Sequence, residues 1–230
     1  SEISVNLSAS KRLGSGPKFL LVRGLAKNLA KEPILVSDVL GNNPFAAELN
    51  GNVRVVAITQ MQKTSEVLVV SSNGRFFSYD TAKRTWAELG HIPDEEIISV
   101  CRRKDVYRIY SAKGGALVSR ASSDCRKLAA PQNEDIPGQL RYLTVVCKAG
   151  ITWLIGAELT KRATVSFRVL RRTTGSKWTD VGAIQASAPL ADCIVDATAV
   201  DSGNGTALYV VITERKKSEA RIYSLAEKQQ

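Results

Sequence analysis

The feature that most limits what this chain can become is a spacing. Trp86, in Lys83-Arg84-Thr85-Trp86-Ala87-Glu88-Leu89, and Trp178, in Gly175-Ser176-Lys177-Trp178-Thr179-Asp180-Val181, stand 92 positions apart. Cys101 closes Ile97-Ile98-Ser99-Val100-Cys101 and Cys147 closes Leu143-Thr144-Val145-Val146-Cys147, 46 positions apart. The first interval is twice the second, and the 230-residue chain is five times 46. A fixed period of this size marks a chain built from one repeated supersecondary unit, whose apolar faces are buried by stacking on neighbours.

The units read as strands. Short runs rich in Val, Ile, Leu, Tyr, Phe and Thr recur, bounded by Gly, Asn, Asp, Ser or Pro. The first unit has Ile3–Ser8, Lys18–Gly24, Pro33–Leu40 and Phe45–Leu49. The second has Val53–Thr59, Glu66–Ser71, Arg75–Tyr79 and Thr85–Leu89, with Ser72-Asn73-Gly74 as a tight turn because Asn-Gly tolerates positive φ. The third has Glu96–Cys101, Val106–Ser111, Ala116–Arg120 and Cys125–Ala129, with a turn at Lys113-Gly114-Gly115. The fourth has Arg141–Cys147, Ile151–Ala157, Val165–Leu170 and Lys177–Gly182. The fifth has three: Cys193–Val200, Ala207–Thr213 and Ala220–Leu225. Val67–Val70 and Leu208–Ile212 are continuously apolar, the pattern of strands covered on both faces. Helical signal is confined to one turn at Ala26–Lys31 and a tail at Ser224–Gln230.

A four-stranded meander every 46 residues, with Trp opening the fourth strand, resembles the blade of a β-propeller. The expectation is an all-β, five-bladed propeller in a single domain, with blades at about 2–50, 51–92, 93–138, 139–188 and 189–230; a two-layer β-sandwich is the alternative fold. Ser78-Tyr79-Asp80…Thr85-Trp86 and Thr173-Thr174-Gly175-Ser176-Lys177-Trp178 resemble degenerate Asp-box or kelch-type hairpins. The resemblance implies an acidic or glycine turn ahead of a tryptophan that packs between blades. The Trp-Asp pair that ends WD40 repeats is absent from the sequence. The short fifth unit leaves an edge on which another strand could add.

Charge is the second asymmetry. Thirty-two Lys and Arg against 22 Asp and Glu give +10, which suits a polyanionic partner. In a meander, loops one-to-two and three-to-four leave one end of the sheet. That end collects Lys11, Arg12, Lys18, Lys63, Lys83, Arg84, Arg102, Arg103, Lys104, Arg126, Lys127, Lys148, Arg171, Arg172 and Lys177. Only Asp80, Asp105, Asp124 and Asp201 oppose them. The other end is mixed: Glu48, Asp94, Glu95, Glu96, Glu134, Asp135 and Asp192 with Lys27, Lys31, Lys113, Lys161, Arg162, Arg215, Lys216 and Lys217. Apart from Lys18, the fifteen are the candidate binding residues for RNA or an acidic protein. Arg102-Arg103 and Arg171-Arg172 suit two-point clamping of phosphate or carboxylate. Aromatics are 6% of the chain and fall mostly inside strands, so RNA would be held by its backbone and shape.

Catalysis finds little support. His91, the one histidine, precedes Ile92-Pro93 in a loop. The Gly-x-Ser-x-Gly elbow, the phosphate loop and paired-histidine metal motifs are absent from the sequence. A glycosidase-like propeller needs two central carboxylates, for which Asp38 and Asp196 are the candidates. The cysteines Cys101, Cys125, Cys147 and Cys193 form no CxxC and read as reduced, mostly buried thiols of a cytoplasmic or nuclear protein. The expectation is a non-enzymatic scaffold in a macromolecular or ribonucleoprotein complex. It has protein subunits or RNA as partners, and needs no cofactor, metal or membrane. A pure protein–protein adaptor and a carbohydrate-active propeller are the alternatives.

Overall fold

The computed structural model describes residues 55–61, 66–80, 82–83, 85–158, 164–202, 205–214 and 219–226. The first expected unit, 2–50, lies outside them. The described residues form four antiparallel sheets, each a run of consecutive strands. The first is β1 (Val55–Gln60), β2 (Glu66–Ser71), β3 (Arg75–Asp80) and β4 (Thr85–His91). The second is β5 (Glu96–Arg103), β6 (Val106–Lys113), β7 (Ala116–Ser122) and β8 (Gln132–Asn133). The third is β9 (Leu140–Lys148), β10 (Ile151–Glu158), β11 (Ser166–Thr173) and β12 (Thr179–Gln185). The last has three strands: β13 (Cys193–Ser202), β14 (Gly205–Glu214) and β15 (Glu219–Ala226). Strand order follows chain order in all four. The class is all-β, and four of the five expected four-stranded units stand among the described residues as meanders, the last of them with three strands.

The described residues pack as two compact units. One takes the strands up to Ile109 together with Arg120–Ala130, and the other takes Tyr110–Ser119 and the residues from Pro131 onward. In the first, Leu68, Val70, Phe76, Ile97, Tyr107, Ile109 and Cys125 form the core. Val67 and Val69, facing the opposite way, pack with Phe77 against Trp86, so β2 is buried on both faces as its sequence requires. In the second unit Trp153, Ile155, Phe167 and Val169 meet Ala197, Ala199, Leu208, Val210 and Ile212. These contacts use alternate residues of β10, β11, β13 and β14, the two-residue period of a strand. Leu154 and Leu170 are buried on the other face of the same sheet.

Four expectations need correcting. Cys125–Ala129 is a loop, and the fourth strand is the two-residue β8, paired to Val118 and Ser119. Ser122 Oγ accepts from the N–H of Cys125 (2.9 Å), and Asp124 Oδ1 accepts from those of Arg126 (2.8 Å) and Lys127 (3.1 Å). Those side chains take the amides a ladder would have used. Leu208–Ile212 is covered on one face: Leu208, Val210 and Ile212 are buried, while Tyr209 is exposed. Ser224–Ala226 belongs to β15 rather than to a tail helix; the regular helix among the described residues is one 3-10 turn, Leu190–Asp192. Finally, Cys125 and Cys193 are free thiols, whereas Cys101 and Cys147 are not. The expected Ala26–Lys31 turn lies outside the described residues.

The turn at Ser72-Asn73-Gly74 also orders its surroundings. Gly74 holds φ +90° and its carbonyl accepts from Ile92 N–H (2.8 Å), while Ser72 O accepts from Ile97 N–H (2.9 Å). A Cβ at Gly74 would fall 2.0 Å from Ile92 O; one at Gly175, φ +81°, would meet nothing within 4 Å. Gly175→Ala should therefore lose only the conformational cost of a positive φ, about 1–3 kcal/mol. Gly74→Ala should lose distinctly more, because backbone must also move. Urea unfolding of the two variants side by side checks the order.

Candidate functional site

The loop chemistry repeats where the cations lie. Asp80 Oδ1 accepts from the N–H of Ala82 (2.9 Å) and Lys83 (3.1 Å), as Asp124 does two and three residues on in its own loop. In the corresponding turn of the third sheet Ser176 Oγ does the work, accepting from Thr173 N–H (2.9 Å). Asp80 also pairs with Lys83 Nζ at 3.6 Å. These acids hold their own loops. The backbone amides of Arg126 and Lys127 hold the Asp124 carboxyl below its ordinary range, helped by the Ser122 hydroxyl and the Arg126 charge and opposed by burial. That contribution is present above the ordinary carboxylate range and fades as pH falls.

At this end of the second sheet, Arg102 and Arg103 at the end of β5, Lys104 from the β5–β6 turn, and Arg126 and Lys127 from the loop after β7 are all exposed. β5 runs up, β6 down and β7 up, so both connections leave the same end. Asp105 and Asp124 are the carboxylates within these two connections. Arg102 lies over the Tyr107 ring (6.0 Å) and donates from Nε to Lys104 O (3.3 Å). Val106, next in line, is 46% exposed. Cys125 anchors the second loop: it adopts φ +60° and its side chain is fully buried in the core.

The third sheet spends its cations differently. Lys148 Nζ lies 3.1 Å from the Asp201 carboxylate. Arg172 is built into a network around the buried Glu134. Its Nη1 lies 2.5 Å from Glu134 Oε2, and its Nη2 donates to Glu134 Oε1 (3.1 Å) and to Tyr110 OH (3.2 Å). Trp178 Nε1 donates to Glu134 Oε2 (3.1 Å), and the Arg172 guanidinium sits 4.6 Å from the Trp178 ring centroid. Arg171 is half-buried and Lys177 exposed. The structure thus gathers Arg102, Arg103, Lys104, Arg126 and Lys127 on one sheet end, and places Lys148, Arg171, Arg172 and Lys177 at the end of another. Lys83 is exposed on the β3–β4 turn. Lys11, Arg12, Lys18, Lys63 and Arg84 lie outside the described residues, as does Asp38.

Two acids assigned by sequence to a mixed surface are internal. Glu95 takes a two-point ion pair from Arg120 (2.6 and 2.8 Å), both buried, and Glu134 is held as described. Glu134 escapes the far end because its N–H still bonds Leu117 O (3.0 Å), alongside β7. A sequence signal for it exists. Glu88, Glu134 and Asp180 stand at successive intervals of 46, and Trp86-Ala87-Glu88-Leu89-Gly90 matches Trp178-Thr179-Asp180-Val181-Gly182 as Trp, any residue, acid, aliphatic, Gly. In two of the sheets this acid pairs across the ladder, Glu88 with Arg75 (2.9 Å) and Asp180 with Arg168.

Asp196 is half-buried and its Oδ1 accepts from Ala197 N–H (2.8 Å). Among the described residues, no group of three or more His, Cys, Asp or Glu is placed to hold a metal ion. No helix among them is long and apolar enough to cross a membrane.

No family model matches the chain, and no curated protein matches it. Among solved structures it is similar to the N-terminal domain of Nup159, with a TM-score of 0.42 and 10% identity over 74% of this chain and 50% of that one. It is also similar to a prolyl endopeptidase, with a TM-score of 0.40 and 13% identity over 72% of this chain and 25% of that one. A third is the S. cerevisiae core factor, with a TM-score of 0.37 and 16% identity over 87% of this chain and 33% of that one. The chain spans at most half the length of these solved chains.

Two measurements check the site. Glu134→Ala strips a largely buried guanidinium of its carboxylate and should cost about 3–5 kcal/mol in urea unfolding. Glu88→Ala, at the more exposed Arg75 pair, should cost about 0–1 kcal/mol. Burial, then the Asp124 charge, pushes the Cys125 thiol up to about 12. The unfolded thiol ionises at lower pH, so this group's stabilising contribution is complete below the ordinary thiol range and is lost as pH climbs towards the folded value. Iodoacetamide at pH 8, followed by mass spectrometry, should label Cys125 far more slowly in folded than in urea-unfolded protein.

Proposed function

We propose that this chain is a non-catalytic β-propeller binding module that docks an acidic protein segment on the loop end of its second sheet. The observation that carries the reading is the exposed set Arg102, Arg103, Lys104, Arg126 and Lys127 beside the exposed Val106. A cationic rim with an aliphatic anchor suits a peptide carrying carboxylates and one apolar side chain. RNA recognition through bases would want an aromatic platform among the cations. The large hydrophobics exposed among the described residues are Val106, Val181, Tyr209 and Ile222, and the one aromatic, Tyr209, is on β14. The local backbone supports a docking role: side-chain caps and the buried Cys125 present the charges from fixed loops, which lowers the ordering cost of binding.

The fourfold variant Arg102→Glu, Arg103→Glu, Arg126→Glu, Lys127→Glu should weaken binding of a fluorescein-labelled oligoglutamate peptide by about tenfold or more, through like-charge repulsion. Lys113→Glu and Arg141→Glu, which change cations at the other end of their strands, should leave it within about twofold, the scale of a rim charge. Fluorescence anisotropy at several salt concentrations measures both. Equal losses from the two sets, or no binding by the parent at low salt, would remove the reading. Preferential, salt-steep binding of a uridine homopolymer would move the partner to RNA.

A further inference from the structure

Ser122 and Ser123 are neighbours in the loop after β7, and the fold treats them oppositely. Ser122 is buried: its hydroxyl donates to Lys127 O (2.7 Å) and accepts from Cys125 N–H (2.9 Å). Ser123 is exposed. Ser122 and Asp124 carry the bonds that shape the loop, so a group added to the Ser123 oxygen breaks none of these. In the first sheet the residue ahead of the capping acid Asp80 is Tyr79, which is buried. In the second sheet that position holds an exposed hydroxyl residue.

The charges around Ser123 are the cations of the proposed docking surface. Arg126 and Lys127 follow it by three and four positions, and Arg102, Arg103 and Lys104 belong to the same compact unit. The β5 and β7 ends flank β6. They are therefore two strand spacings apart, ~10 Å, comparable with the Debye length of ~8 Å at physiological salt. The five cations against Asp105 and Asp124 leave a net +3. Arg120 also stands three positions from Ser123, on its other side, but it is buried in its two-point pair with Glu95 (2.6 and 2.8 Å). The exposed cations of this loop, which an enzyme can read, lie after the serine.

We infer that Ser123 is a phosphorylation site whose phosphate switches off docking of the acidic segment; this rests on the docking reading proposed above. The modifying enzyme is a serine/threonine kinase with a carboxylate-lined groove, which the same cations attract. In the transfer, the Ser123 hydroxyl oxygen bonds the γ-phosphorus of ATP and the bond from that phosphorus to the β–γ bridging oxygen breaks. ADP leaves, and the hydroxyl proton passes to the kinase's carboxylate base. The phosphate brings a charge of about −1.5 to −2. That cancels about half to two-thirds of the net +3. Its oxygens also accept from guanidinium groups that a partner's carboxylates would otherwise use.

The test uses the full chain, with phosphoserine placed at 123 by genetic code expansion, and the fluorescein-labelled oligoglutamate peptide. Phosphoserine at 123 should weaken binding about fivefold or more at low salt, and the gap should narrow as salt rises. Ser123→Ala changes no charge and should bind within about twofold of the parent. Iodoacetamide should label Cys125 as slowly in the phosphoserine chain as in the parent, because the loop stays seated on the core. The parent, given magnesium-ATP and a serine/threonine kinase selective for Arg and Lys after the acceptor, should gain phosphate on Ser123 as mapped by mass spectrometry. The double variant Arg126→Gln, Lys127→Gln should lower that labelling about tenfold. Normal binding by the parent, with the phosphoserine chain within about twofold of it, overturns this inference alone. No binding by the unmodified parent removes the docking reading and this inference with it. A Ser123 left without phosphate also overturns the inference. So does fast Cys125 labelling in the phosphoserine chain, since the phosphate would then unseat the loop rather than cancel its charge.

Discussion

A meander of four short strands cannot bury both of its faces with its own side chains. Everything else here follows from that constraint. Leu154 and Leu170 on one side of the third sheet, and Trp153, Ile155, Phe167 and Val169 on the other, are apolar because both sides are covered. Where cover is lacking, the apolar run is wasted on solvent. Leu208–Ile212 reads as fully buried, yet Tyr209 emerges, because among the described residues the last sheet has core on one side only. Removing a large side chain such as Phe167 from the covered interior would cost about 3–5 kcal/mol, so the cover is a substantial part of the stability of such a domain.

Most of the architecture is legible in the sequence. Turns at Asn73-Gly74 and Gly114-Gly115 sit where positive φ is needed, and apolar runs between punctuation become strands. The errors have local causes. Cys125–Ala129 has strand-like length, but Ser122 and Asp124 capture its amides and Cys125 turns to φ +60° to reach the core. That competition depends on hydroxyl and carboxylate geometry that spacing does not reveal. The tryptophans likewise stand near the starts of fourth strands in separate sheets. However, Trp86 packs on Phe77 and Tyr79 of its own sheet, while Trp178 donates to a buried carboxylate.

Charged residues are less legible in the sequence than apolar ones. A sequence assigns a lysine or arginine to a loop, but not to a partner within the fold. Arg102, Arg103, Lys104, Arg126 and Lys127 remain at the surface, while Arg172 turns inward to Glu134 and Lys148 pairs with the exposed Asp201. Glu95 and Glu134 look like surface acids and are buried ion-pair partners. The sequence itself carries the recurrence of Glu88, Glu134 and Asp180 at the repeat interval. What it meant became readable only from the arginine each one holds.

Glu134 departs most from this repeated pattern. Its counterparts bond an arginine on the adjacent strand of their own sheet. With β8 cut to two residues, Glu134 instead collects Arg172 and Trp178 near the β11–β12 turn, and Tyr110 shares the same guanidinium. One carboxylate therefore spans segments more than thirty residues apart along the chain. Its bonds cannot be broken one at a time without stranding a charge in a nonpolar setting. The second unit should open here as a single cooperative step, with slow amide exchange shared by residues that the chain order keeps distant.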